Sequence, residues 1–249
     1  MKSILSRVIS LIVIFGLWEI VGHFTDPMSF PRFSKVAVAI WDLITSGQFI
    51  SALGVSLKGL LLGFLVAVLA GLSFGVFISY TRLIGRIIDV YVTILLAAPI
   101  AALIPVLIMA FGIGLLTKVT VIALMGFSVM AINTTYGLRS TDHTLLEMVH
   151  SFGGTPRQTF FKVVLPSALP LIMAGIRMGF AQCFVGTITA ELLIVSEGLG
   201  QLLNQFGASF RAAPLFAMVL LTMLMGTVTI GLFQVLEAHL FKWKPKIIR

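Results

Sequence analysis

The chain has 249 residues, of which 59% are hydrophobic and only 10% charged. A soluble domain carries roughly 25% charged residues, so this chain cannot cover itself with a water-compatible surface, and a soluble globular domain is excluded. The net charge of +8 does not point to nucleic acid, because the basic residues are spread among turns and ends, and the single cysteine, Cys183, excludes an intramolecular disulfide.

Uncharged runs recur at Gly59–Thr81, Val90–Thr117, Val119–Leu138 and Ala212–Leu236. Each reaches or exceeds the roughly 20 residues that span a hydrocarbon core. The pattern predicts six helices, at about 4–22, 57–80, 90–112, 118–138, 167–190 and 213–237. The first follows Lys2 and Arg7, a layout shared by signal peptides and first transmembrane helices. No small-x-small cleavage site follows in Gly22-His23-Phe24-Thr25-Asp26-Pro27; this favours a retained helix and leaves a cleaved one open. After Pro27 and Pro31, a short helix is expected from Ser34 to Thr45, ended by Ser46-Gly47. Arg82 and Arg86 mark the turn between the second and third helices, and Gly112-Ile113-Gly114 the turn between the third and fourth. Pro99 and Pro105 lie inside the third helix, where a missing donor and a clash with the preceding turn produce kinks or unwound points. In a membrane such backbone either packs on protein or lines a cavity, and both readings stand.

In the six-helix arrangement Lys2, Arg7, Arg82, Arg86, Arg139, Arg157, Lys162, Lys242, Lys244, Lys246 and Arg249 lie on one side. Arg32, Lys35, Lys58, Lys118 and Arg211 lie on or near the other, and Arg177 is buried between. This is the positive-inside asymmetry of a membrane protein, and it puts both termini in the cytoplasm.

A polar, glycine-bent island separates the fourth and fifth spans. Thr144-Leu145-Leu146-Glu147 fits a capping box, and Thr155-Pro156-Arg157-Gln158 fits a second with proline at the first helical position. Gly153-Gly154 between them can take positive φ and end the first short helix. Leu165-Pro166 reads as a stop before the next span. Leu145, Leu146, Met148, Val149 and Phe152 supply apolar contact surface, and Glu147, His150 and Arg157 supply charge or polarity to fix orientation.

The run Glu147-Met148-Val149, three residues, Gly153, nine residues, Val163-Val164-Leu165-Pro166 resembles the cytoplasmic "EAA" loop of ABC-importer permeases. In that family the loop forms a coupling helix that docks on a separate ATPase. Met148 and Val149 depart from the family's two alanines. Pro99, Pro105, Phe111-Gly112-Ile113-Gly114, Asn133-Thr134, Gly137-Leu138-Arg139, Gly175-Ile176-Arg177, Ala190-Glu191-Leu192 and Gly198-Leu199-Gly200 extend the likeness. Together they resemble the permeases of the nitrate, sulfonate, taurine and bicarbonate branch, which also includes carriers of vitamin precursors.

The resemblance implies an all-α polytopic membrane protein of the type I importer kind, a single transmembrane permease domain over 1–249 with its coupling loop at about 142–162. It implies contact with an ATPase through Glu147, Met148, Val149, Phe152, Gly153, Arg157, Leu165 and Pro166. It also implies a second permease subunit, two cytoplasmic ATPase subunits that bind ATP and Mg, and an external substrate-binding protein. The chain itself would need no cofactor. Pro99, Pro105, Asn133, Arg177, Gln182 and Glu191 are the candidates for the translocation path or its gate, and Glu197 and Gly198 for contact with the binding protein.

Arg177 lies about ten residues beyond Pro166, roughly 15 Å into the membrane at 1.5 Å per residue. A charge there is costly; it either guides an anionic substrate or bonds neighbouring helices. Asn133 is expected to bond another helix. No Gly-x4-Gly-Lys-Ser/Thr loop occurs, so ATP hydrolysis is expected elsewhere. His23, His143, His150 and His239 lack metal-ligand spacing, and no catalytic constellation is suggested. The substrate expected is a small anion or a vitamin precursor. The competing class is a secondary transporter or membrane scaffold without an ATPase; the former more often shows paired intramembrane carboxylates or inverted repeats.

Overall fold

The computed structural model describes residues 2–81, 83–194 and 197–240. Arg82, Lys242, Lys244, Lys246 and Arg249, counted above in the charge asymmetry, lie outside the described residues. The chain runs α1 (Lys2–Phe24), α2 (Phe33–Thr45), α3 (Gln48–Tyr80), α4 (Leu83–Ala97), α5 (Ile100–Phe111), α6 (Leu115–Arg139), α7 (His143–Ser151), α8 (Pro156–Thr159), a π-helical turn (Phe160–Val164), α9 (Leu165–Leu193), α10 (Gly198–Ala208) and α11 (Ala212–Leu240). Among the described residues, four helical stretches are long and apolar enough to cross a membrane: α3, α6, the run Pro156–Leu193 and α11. The bent pair α4–α5 makes a fifth, and α1 adds a shorter apolar stretch over Ile9–Phe24. The six apolar segments expected are therefore present, but not as six straight spans.

The centre of the bundle is a sandwich of α3, α6 and α9, and small residues set its spacing. Along α3, Gly59, Gly63, Ala67, Gly71 and Gly75 recur every fourth residue on the face toward α6. A methyl group on Gly63 would fall 2.4 Å from Ile122, and one on Gly71 would fall 2.7 Å from Met130. On the other side of α6, Gly126 faces Cys183 at 2.4 Å by the same measure, and Gly175 faces Asn133 at 2.5 Å. Lipid tails are as apolar as leucine, so helix association in a membrane relies on such close backbone approach rather than on a hydrophobic drive. The outward faces carry large exposed apolar side chains, among them Leu61, Leu65, Leu69 and Ile94, which suits a bilayer and would not suit water.

Several boundaries differ from expectation for local physical reasons. The second span begins at Gln48 rather than near residue 57, because Gly47 takes φ 75° and starts a new helix directly after α2. Of the two prolines in the third span, Pro99 interrupts the helix. The break falls at Ala98-Pro99, where α4 and α5 meet at 103°; the residue before a proline is driven out of the helical region and the proline has no donor to continue the ladder. Pro105 sits inside α5 without breaking it. Leu165-Pro166 is no stop: Pro166 falls in the first turn of α9, and the π-helical turn carries the helix through from Pro156 to Leu193.

At the end of the bundle away from the 142–162 loop, α2, the start of α3, α10 and α11 share an apolar cluster that includes Val36, Leu43, Phe49, Leu199, Phe206 and Met218. Helix α2 turns Val36, Ala39 and Leu43 inward and leaves Val38 and Trp41 exposed. Its own preceding residue, Arg32, gives no side-chain cap. Glu19 of α1 does this instead, accepting from Ser34 N at 2.8 Å and Ser34 Oγ at 2.9 Å.

Candidate coupling loop and translocation surface

Helix α7 begins two residues earlier than the expected capping box would place it. Asp142 is its cap, accepting from Thr144 N at 2.9 Å, and this bond from the Thr144 backbone holds the Asp142 carboxyl below the usual carboxylate range. The box at Thr144–Glu147 is therefore not formed. Glu147 lies too far along α7 to reach the first donors and pairs with His143 at 3.1 Å, with both side chains mostly exposed. The bend has the expected conformation: Gly153 takes φ 70°. Gly154 does not take positive φ; its N–H donates to Val149 O at 2.9 Å, and a Cβ there would meet Val149 Cγ1 at 2.4 Å. The second box is complete, with Gln158 N donating to Thr155 Oγ1 at 3.3 Å and Thr155 N to Gln158 Oε1 at 2.9 Å.

The result is a rigid knuckle with an apolar tip. Phe152 is 84% exposed and Met148 is 49% exposed, with Glu147 and Arg157 also exposed in the same loop. Val149 turns partly inward over Gly154, so one of the two departures from the family's alanines is absorbed within the loop. Leu165 and Pro166 are half-buried rather than on this surface. Leu165 packs with Phe160 and Val164 on Leu138, Ala168 and Ile172, rooting the loop in α6 and α9. Phe160 also meets Tyr80 of α3 edge-on at 5.7 Å between ring centroids.

Of the residues expected along the path, the structure brings Pro99 and Gln182 together. Both line a cavity of about 270 Å³ at the α4–α5 break, with Leu95, Leu124, Met125, Ser128 and Thr189. Gln182 belongs to a face of α9 that also carries the exposed side chains of Met178 and Val185. Pro105 does not line this cavity. Asn133 donates to Val129 O of its own helix at 2.8 Å, and Gly175 of α9 makes room for it. Arg177 is half-buried on α9.

Glu191 does not line the cavity at the α4–α5 break. It is fully buried, its Oε1 accepting from Lys118 Nζ at 2.8 Å, and Lys118 is itself almost fully enclosed. Its Oε2 accepts from Ser56 Oγ at 2.9 Å and from Gly200 N at 3.0 Å. Ser56 Oγ accepts in turn from Leu199 N at 2.9 Å. Gly198 is buried here with φ 61°, where a Cβ would lie 2.4 Å from Ser56 Oγ and 2.6 Å from Glu191 Oε1. It also lines a pocket with Gln48, Ser51, Val55 and Gln201, and Glu197 beside it is exposed. The sequence reading gives Lys118 and Ser56 no site role. The available signal was that Lys118 is a lone charge between two long uncharged runs and Glu191 a lone charge near the end of another. Among the described residues no group of three His, Cys, Asp or Glu side chains comes together as a metal site.

Apolar helices with lipid-compatible exteriors, small-residue packing and one rigid polar knuckle define an all-α, multi-pass membrane permease. The chain belongs to the family described as binding-protein-dependent transport system inner membrane component, whose model matches residues 59–242. It is 30% identical over 237 residues to an Escherichia coli (strain K12) permease, SsuC, provisionally named for aliphatic sulfonates transport; the match covers 95% of this chain and 90% of that protein. The same-named Bacillus subtilis (strain 168) permease is 29% identical over 234 residues, covering 93% and 85%. The formylaminopyrimidine transport permease ThiX of Halalkalibacterium halodurans is 26% identical over 231 residues, covering 92% of each. Among solved structures, an amino acid ABC transporter superposes with TM-score 0.65 at 18% identity, covering 79% of this chain and 96% of that one. The MetNI methionine ABC transporter in an inward-facing conformation gives 0.60 at 21%, covering 74% and 90%. At these identities the two structures share the fold.

Proposed function

We propose that this permease forms half of the substrate path of an ATP-driven importer, paired with a second copy of itself. In this reading a cytoplasmic ATPase subunit docks on each 142–162 loop and an external binding protein delivers the substrate at the opposite end. Both termini then lie in the cytoplasm. The observation that carries the reading is the exposed apolar tip of the loop, Met148 and Phe152, flanked by Glu147 and Arg157 on a knuckle capped at both helices. An exposed apolar knob on a rigid mount is the form an anchor takes at a protein interface. Glu147 and Gly153 support docking, the first as a charge for the partner and the second as the bend that sets the angle.

The path runs along the face of α9 bearing Met178, Gln182, Val185 and Thr189, beside the α4–α5 break. Gln182, Ser128 and Thr189 give it hydrogen-bonding groups, and Arg177 lies five residues earlier on the same helix. The sulfonate relatives favour a small organic anion of that kind as the substrate; a vitamin precursor is the second class, after the formylaminopyrimidine relative.

The test is to purify the tagged chain from native membranes, identify what comes with it by mass spectrometry, and assay ATPase activity. An ATPase and a binding protein are expected, with the ATPase reduced by Gly153→Pro or Glu147→Arg. A chain that purifies alone even after crosslinking in the membrane would overturn the importer reading in favour of a transporter or scaffold that works without ATP.

A further inference from the structure

The Lys118–Glu191 pair is unusual in being both charged and shut away from solvent. Ion pairs of this kind gain little stability over apolar residues of similar volume, because desolvation offsets the attraction. Their best-attested use is to fix one arrangement of the parts they join. Here every further hydrogen bond of the cluster leads to the start of α10: Glu191 accepts from Gly200 N, and Ser56, bonded to Glu191, accepts from Leu199 N. Helix α10 has no cap of its own, since Glu197 makes no side-chain cap bond. Its first backbone donors are satisfied by residues of α3 and α9, and the negative carboxylate sits where the helix dipole is positive. The buried, left-handed Gly198 lets the backbone come this close.

The elements joined there also reach the coupling loop. Helix α9 belongs to a single 38-residue helical run, Pro156–Leu193, about 57 Å long at 1.5 Å per residue. The loop forms one end of that run and Glu191 lies near the other. Helix α6 enters the loop at Arg139 and carries Lys118 close to its opposite end.

We propose that Lys118, Glu191 and Ser56 are positioning residues of the transport step. They pin the start of α10 to α3, α6 and α9, so that a displacement of the 142–162 loop arrives at the far end of the molecule as a movement of α10. The transport role rests on the importer reading; the pinning does not.

Cys183 is fully buried and serves as a built-in standard for a labelling test on the full-length chain. Leu199→Cys, also at a fully buried position, is treated with a polyethylene-glycol maleimide in detergent-opened membranes, alone and combined with Glu191→Gln, Lys118→Met or Ser56→Ala. Both thiols should resist the reagent in the otherwise unchanged chain. Loss of either charge should speed labelling at position 199 by about tenfold through local opening, and Ser56→Ala by less, with Cys183 still protected. Equal protection of position 199 in all the variants would overturn the proposal. So would reactivity of Cys183 rising in step with it in every variant, since that marks loosening of the whole bundle. If only the charge variants unfold, Ser56→Ala decides, because it keeps the ion pair: selective exposure of position 199 supports the pinning, and protection or parallel exposure ends it. No ATPase or substrate enters the measurement, so failure of the pull-down and failure of the pinning are read separately.

Discussion

Val149 and Gly154 show how one departure from a family pattern is accommodated. A valine where the family's loop has alanine needs space, and the space comes from within the loop: its Cγ1 lies where a Cβ on residue 154 would be, 2.4 Å away. The pair is therefore coupled. Gly154→Ala should destabilise the loop by about 1–3 kcal/mol, the usual penalty for overpacking. Val149→Ala on its own should be milder, and the double variant should recover most of the loss, as coupled neighbours do. Limited proteolysis of the loop in membranes measures all three; additive losses would show that the two side chains do not share the space. Phe152, two residues before Gly154, has no such partner among the described residues and stays 84% exposed.

At the scale of elements, two devices recur. Short helices at the end away from the loop are capped by glutamates of long ones: Glu19 of α1 serves α2, and Glu191 of α9 serves α10. Each holds a helix that lacks a side-chain cap of its own. The second device is the small-residue seam, where α6 lies between α3 and α9 with glycines facing it from both. Gly126→Val would drive a branched side chain into Cys183 and the carbonyl of Gly179. It should lower thermal stability in detergent by about 1–3 kcal/mol or more. Gly54→Val, at a position with nothing within 4 Å, should leave the melting temperature nearly unchanged. Similar shifts for the two variants would mean that the seam is not the tight contact described.

At the scale of the whole molecule, the loop tip and the start of α10 stand at opposite ends of a bundle crossed by an unbroken helical run. The combined variant Met148→Ala/Phe152→Ala should abolish ATPase copurification while the melting temperature of the purified chain stays near wild type, because both side chains project outward. Retained copurification would remove these two residues from the docking surface. The membrane character, the apolar segments, the bend at Gly153 and the box at Thr155–Gln158 were all legible in the sequence. These are local or additive properties: hydropathy sums along a run, and a cap spans three or four residues. Where local reading failed, the competing signal lay within a turn or two, as when Asp142 displaced Thr144 as the cap or Pro166 joined the first turn of α9 instead of stopping the helix before it. The partnership of Ser56, Lys118 and Glu191 is a different matter. Ser56 bonds Glu191 across 135 positions, and Lys118 does so across 73. No periodicity links residues so far apart; only the packing of α3, α6 and α9 brings them together and excludes water from them. The sequence by itself determined that this chain crosses a membrane and carries a rigid loop, because those properties are written in neighbouring residues. The tertiary structure alone decided which isolated charges meet, because burying a charge is tolerable only where the fold supplies its partner.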